Sequence, residues 1–228
     1  MSSRDQILNK LRAARQPFED APPRPAKYLD VTLLDDTSRD ALIERFSAEL
    51  TRLMGEPFIV EGDEAACDCV LTLLKQHEAK RILAWDFAHI PVKGLKDAIK
   101  SAGIEIHHPE THDEFRAEIL DAAEGAQVGI TGADYAAAAT GTLIFTTGAG
   151  KGRIPTVLAP VHIAIINADQ VLPRIEDWVA KNRADNMGNF SSAANFCFVS
   201  GPSRTGDIEM ELILGVHGPG KVQVIIKK

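Results

Sequence analysis

The chain has 228 residues, 45% hydrophobic and 25% charged, with 25 Lys+Arg against 32 Asp+Glu and a formal net charge of −7 at pH 7. A chain of this size buries roughly 70% or more of its unfolded surface and needs no disulfide or metal staple, and the acidic balance lacks the basic stripe of a nucleic-acid-binding protein. No apolar run reaches the roughly 20 residues that span a bilayer, and the N-terminus carries no secretory hydrophobic core. Three cysteines, Cys67, Cys69 and Cys197, fit no zinc spacing and are too few for an iron–sulfur cluster, which takes about four. The expectation is a cytoplasmic protein with reduced thiols and no cofactor or metal of its own.

Charge and glycine divide unevenly. Residues 1–125 hold 16 Lys+Arg, 24 Asp+Glu and 5 of the 17 glycines; residues 126–228 hold 9, 8 and 12. Low charge signals burial and dense glycine signals close backbone approach, so a functional site is expected mostly after residue 125. In chain order, residues 3–15 carry Ile7, Leu8 and Leu11 at helical spacing and are followed by APPRPAKY. This reads as an N-terminal helical arm on a Pro-rich linker (1–30), ahead of one α/β domain (31–228). Leu42, Phe46, Leu50 and Leu53 make an amphipathic helix stopped at Gly55. Strands at 57–60, 81–85 and 104–108 then alternate with helices at 64–78, 92–103 and 112–125. Short strands separated by longer helices predict a Rossmann-like, open, mostly parallel sheet. Beyond Gly125, strand-like runs at 127–131, 142–146, 156–160, 162–167, 196–201 and 221–227 are joined in part by connections too short for a parallel crossover, which predicts antiparallel additions. Helices are expected at 174–185 and 206–214.

Three segments could carry chemistry. In GITGADYAAAATGTLIFTTG (129–148), a small-residue helical turn at Ala136–Ala139 leads to Thr140, Gly141 and Thr142, whose hydroxyls and N–H groups fall near strand ends; tight core packing is the competing reading. In TTGAGKGRIP (146–155), Lys151 and Arg153 sit among glycines, either as an anion loop or as a hairpin tip with two solvated cations, and neither the P-loop nor the dinucleotide spacing is met. In FVSGPSRTGDIEMELILGVHGPG (198–220), a strand passes through Ser203, Arg204 and Thr205 into the predicted helix, with Asp207 in its first turn. Open N–H groups at a helix start and a planar guanidinium together suit a carboxylate or phosphate. Asp207 also reads as a helix cap. His217, held between glycines and proline after that helix, is a candidate acid/base group, and His162 at a strand start is a second candidate with a core reading beside it. His107, His108 and His112 read as a surface loop.

Taken in order, GITGADYAAAATGTLIF, LAPVHIAII, GPSRTGDIE and GVHGP resemble the lactate-utilization protein C family, the LUD-domain proteins, from about residue 126 to the C-terminus and more loosely before it. The resemblance implies the fold shared by ribose-5-phosphate isomerase, glucosamine-6-phosphate deaminase and CoA-transferases. It also implies a place in a three-protein bacterial system that oxidises L-lactate to pyruvate, whose other subunits are iron–sulfur and cysteine-rich. On that basis the chain is expected to be the non-redox subunit, with clusters on its partners and none in itself. Arg204 and the N–H groups after Ser203 would receive a small acid's carboxylate beside Thr140 and Thr142, with His217 and then His162 as base. A scaffold without its own ligand, a sugar-phosphate isomerase or acyl-CoA transferase, and self-association of the chain all stay open. One departure stands out: relatives commonly place an acid directly before the TGT motif, and this chain has Ala139.

Overall fold

The computed structural model describes residues 3–14, 34–109, 115–206 and 212–228. The chain divides into two compact units, 1–33 and 34–228. In the first, helix α1 (Ser3–Ala14) has Asp5 in its first turn and Arg12 in its last, matching the helix dipole, and leaves Ile7 and Leu11 exposed.

The second unit opens with α2 (Arg39–Arg52), which buries Leu42, Ile43, Phe46 and Leu50 along one face. It stops where Met54 turns left-handed and the Gly55 N–H donates to the Leu50 carbonyl at 2.9 Å. There follow β1 (Glu56–Val60), α3 (Gly62–Gln76), β2 (Arg81–Ala84), α4 (Leu95–Ser101), β3 (Glu105–His107), α5 (Arg116–Ala123) and β4 (Val128–Gly132). Next come β5 (Tyr135–Ala137), β6 (Thr142–Thr147), α6 (Ile154–Val157), β7 (Val161–Asn167), β8 (Val171–Leu172) and α7 (Ile175–Ala184). The chain closes with α8 (Gly188–Ser192), β9 (Asn195–Val199), β10 (Arg204–Gly206), β11 (Leu212–Leu214) and β12 (Lys221–Lys227).

Six strands form an all-parallel sheet in the order β1-β12-β7-β4-β2-β3. Both faces are covered. Successive strand residues point to opposite sides: Ile82 and Ala84 join the main core with α2, α3 and α4, while Leu83 between them packs with Ala123, Ala159 and Ile154. That two-sided cover is why the central strands are continuous apolar runs. Each fully buried large side chain, such as Phe46, Trp85 or Phe145, contributes about 1.5–3 kcal/mol. A second sheet, β8-β5-β6-β9, is antiparallel at β5–β6 and β6–β9 and parallel at β5–β8. The parallel α/β architecture with antiparallel additions therefore matches the sequence expectation.

Three local expectations are corrected. Gly206 and Leu212–Leu214, expected within one helix, are strand: β10 and β11 form an antiparallel ribbon, Arg204 opposite Leu214 and Gly206 opposite Leu212. Leu212, Ile213 and Leu214 are a consecutive apolar run, which fits either period, and Gly206 weakens a helix start. Asp207 lies outside the described residues, as does His112. Residues 156–160 are not a strand, because Pro155 presets the first turn of α6 and the Arg153 carbonyl accepts from Thr156 through both N–H (3.0 Å) and Oγ1 (2.7 Å). Ala136 and Ala137 belong to β5; only Ala138–Thr140 form a 3₁₀ turn, ended by Gly141 at φ 58°.

Candidate functional site

The predicted site residues fall into three places. His162 is in the core. It sits on β7 between β12 and β4, opposite Val222 and Gly129, and is wholly enclosed. Its Nε2 lies 2.9 Å from Thr131 Oγ1, its Nδ1 has no hydrogen-bond partner, and the Phe145 ring is 5.8 Å away. Burial pushes its pKa down from 6.5 to about 4, so the ring is neutral at pH 7. A group sealed inside the sheet is out of reach of a substrate, and the core reading of His162 replaces the catalytic one.

Thr140 and Thr142 meet a partner that sequence reasoning did not name. Thr142 Oγ1 lies 2.7 Å from Thr140 Oγ1 and 2.8 Å from Ser200 Oγ, giving a chain of three hydroxyls across the ends of β6 and β9. Gly141 is needed for more than its φ: a Cβ there would lie 2.6 Å from Leu50 N and 2.8 Å from the Glu49 carbonyl carbon. The turn therefore sits directly on α2, where buried Glu49 is held by Arg45 at 2.8 Å and Arg52 at 2.6 Å. Ala139, where the resemblance leads one to expect an acid, is buried and donates its N–H to the Pro173 carbonyl. Arg204 stays close to the hydroxyls: it is exposed, in no ion pair among the described residues, with Nη2 3.5 Å from the Ser200 carbonyl oxygen. Arg204 thus stands on a β-ribbon and not at a helix start. Ser203 and the His217 turn close on each other through Ser203 N–H to Pro219 O (2.8 Å) and Gly215 N–H to Ser203 O (3.0 Å). This places exposed His217 beside the same loop; Thr205 is half-buried opposite Ile213.

The opposite end of β6 holds a separate cluster, four residues or about 13 Å along the strand. Asp134, just beyond β4, accepts from the Thr146 N–H, from Thr146 Oγ1 at 2.6 Å and from Lys151 Nζ. Lys151 also lies 5.3 Å from the centre of the Trp85 ring, within cation–π range. Lys151 is thus neither a solvated hairpin cation nor an open anion donor; its charge is matched internally, while Arg153 remains exposed. The hairpin tip is fastened to the end of β2 by Asp86 N–H to Gly150 O (2.9 Å) and Trp85 Nε1–H to Gly152 O (2.7 Å).

That fastening leaves a cavity of about 170 Å³ between the hairpin and the carboxyl ends of β2 and β3, lined by Asp86, His108, Gly150 and Gly152 among others. His108 Nδ1 is 3.1 Å from the Ala84 carbonyl, which only accepts, so Nδ1 is the donor in that contact. The Asp86 carboxyl is held below its ordinary range, chiefly by the Ala88 N–H. Sequence reasoning set His108 aside as a loop residue; its place at a strand end, where open α/β sheets take ligands, was the signal. Cys67, Cys69 and Cys197 are partly buried, which raises the pKa of each thiol. Among the described residues no group of three or more His, Cys, Asp or Glu is placed to hold a metal ion, and no helix is long and apolar enough to cross a membrane.

Residues 43–226 match the LUD domain. Lactate utilization protein C of Shouchella clausii is 30% identical over 225 residues, covering 97% of this chain and 94% of that protein. The Halalkalibacterium halodurans protein of the same name is 30% identical over 196 residues, 85% of this chain and 82% of that one. A crystal structure of a DUF162 family protein from Deinococcus radiodurans superposes with a TM-score of 0.58 at 19% identity, over 85% of this chain and all of that one, a likeness of fold. With the domain match reaching from α2 into β12, the chain belongs to the LUD domain family.

Proposed function

We propose that this protein serves lactate utilization in the bacterial cytoplasm, as a non-redox subunit that receives a small organic acid and works with iron–sulfur and cysteine-rich partner subunits. The observation that carries the reading is the nearly end-to-end similarity to a lactate utilization protein C. The clusters are assigned to the partners because this chain has three cysteines, fewer than the about four that one cluster takes.

The acid's carboxylate is received at the Thr140–Thr142–Ser200 hydroxyls with Arg204 as the cation, and His217 is the adjacent group able to exchange a proton. A charge-assisted hydrogen bond contributes about 1.5–3 kcal/mol, so Arg204→Ala should weaken acid binding about ten-fold or more. Calorimetric titration of both proteins with L-lactate and pyruvate is the test; equal affinities would remove Arg204 from the site. A second reading, a scaffold with no ligand of its own, is favoured by the exposed apolar run Leu212, Ile213, Leu214 and Val216, a surface of the kind that marks protein interfaces. Stable capture of the iron–sulfur subunit by a protein that binds neither acid would select it.

A further inference from the structure

A second and larger cavity, about 440 Å³, opens at the carboxyl ends of β7 and β12. Its wall includes the apolar Phe87, Ile90, Val92 and Leu95, and its polar lining includes Lys93, Lys96, Lys227 and Asn167. Lys227 is mostly buried; its Nζ donates to Asp63 Oδ1 and to the Pro91 carbonyl, which leaves one of three N–H bonds for a guest. Asp63 is occupied, held below its ordinary range chiefly by that Lys227 hydrogen bond and also taking the Lys93 N–H. Lys93 and Lys96 are exposed and in no ion pair among the described residues, and Lys96 Nζ stands 5.9 Å from the centre of the Phe87 ring. Three lysines against Asp63 and Asp97 give this lining a positive surplus in a chain of net charge −7.

We propose that this cavity is a second binding site, separate from the Arg204 surface, for an organic anion with an apolar or aromatic body, its head against Lys93, Lys96 and Lys227 and its body along Phe87. The position follows the rule for parallel sheets, whose ligands sit beyond the strand carboxyl ends. The volume lies within the range of small-molecule sites, and is generous for an acid as small as lactate. The carboxylate and phosphate-ester forms of such an anion share the same recognition, and the head group is what the assay distinguishes.

The test is titration of the full chain, by calorimetry and amide NMR, with phenyl phosphate, phenylacetate, inorganic phosphate and benzyl alcohol. Saturable binding of phenyl phosphate or phenylacetate is expected at millimolar concentration or below, with shifts at the Lys93, Gly94 and Asn167 amides. The tighter of the two identifies the head group. Inorganic phosphate, lacking the body, and benzyl alcohol, lacking the charge, should each bind about ten-fold more weakly or worse. The exposed double variant Lys93→Ala/Lys96→Ala should keep its thermal midpoint and lose about ten-fold or more in affinity. Absence of saturation by both aromatic anions, or an affinity unchanged in the double variant, overturns the proposal. Neither outcome bears on L-lactate at Arg204, because neither L-lactate nor Arg204 enters the assay.

Discussion

His162 makes a quantitative prediction because its ring is enclosed and its Nδ1 unpartnered. Its pKa in the folded chain is about 4, below the ordinary 6.5 of the unfolded chain. As pH falls, the unfolded state takes up the proton first, so the contribution to stability is intact above pH 6.5 and is lost progressively toward pH 4. With these two values the loss between pH 7 and pH 5 is about 2 kcal/mol. The groups against the ring, Thr131, Phe145 and the β4 backbone at Gly129, carry no titratable charge to offset it. Urea unfolding at pH 7, 6 and 5 of the native chain and of His162→Leu isolates this loss from that of other titrating groups. The variant is expected to be less stable at pH 7, because Thr131 loses its partner, and its stability should fall by about 2 kcal/mol less on acidification. Identical pH slopes in the two proteins would mean that the ring titrates normally and is not sealed.

Other perturbations follow from the packing. Gly129→Ala places a Cβ 1.8 Å from the Pro155 carbonyl oxygen; since backbone must move, a loss of about 3 kcal/mol or more is expected by chemical denaturation. Gly141→Ala adds a left-handed penalty at φ 58° to a contact of 2.6 Å with Leu50 N, and about 3 kcal/mol is again expected. Lys151→Met leaves the half-buried Asp134 without its cation, held only by Thr146, and should cost about 2 kcal/mol; adding Asp134→Asn should cost less than the two single losses summed, as a double-mutant cycle would show. Arg204→Ala, at an exposed ribbon position without an ion pair, should move stability by less than about 0.5 kcal/mol, so any loss of acid binding reads the site and not the fold.

The parallel half of the fold was legible because each strand is short, apolar and followed by a helical stretch, and because two-sided burial leaves continuous runs such as HIAIIN. The stretch from Gly206 to Leu214 was not. Its apolar residues fit a helix as well as a strand, and for Leu212–Leu214 the choice was settled by pairing with Arg204–Gly206. The hydroxyls of Thr140 and Thr142 were found from local sequence, but Ser200 joins them only through the β6–β9 register, 58 residues away. His108 and Lys227 were invisible for a related reason. Their importance rests on strand order, which sets His108 beside Ala84 and brings Lys227 to Asp63 across 164 residues. His162 was ambiguous in sequence and is settled by β7 lying inside the sheet and not at its margin.

The most direct measurement of the central claim is genetic complementation. A bacterium lacking its own lactate utilization protein C, supplied with this chain, should regain growth on L-lactate as sole carbon source, and the Arg204→Ala chain at equal abundance should restore it poorly. Failure of the native chain to restore growth, with the protein present and folded, would contradict the assignment to lactate utilization.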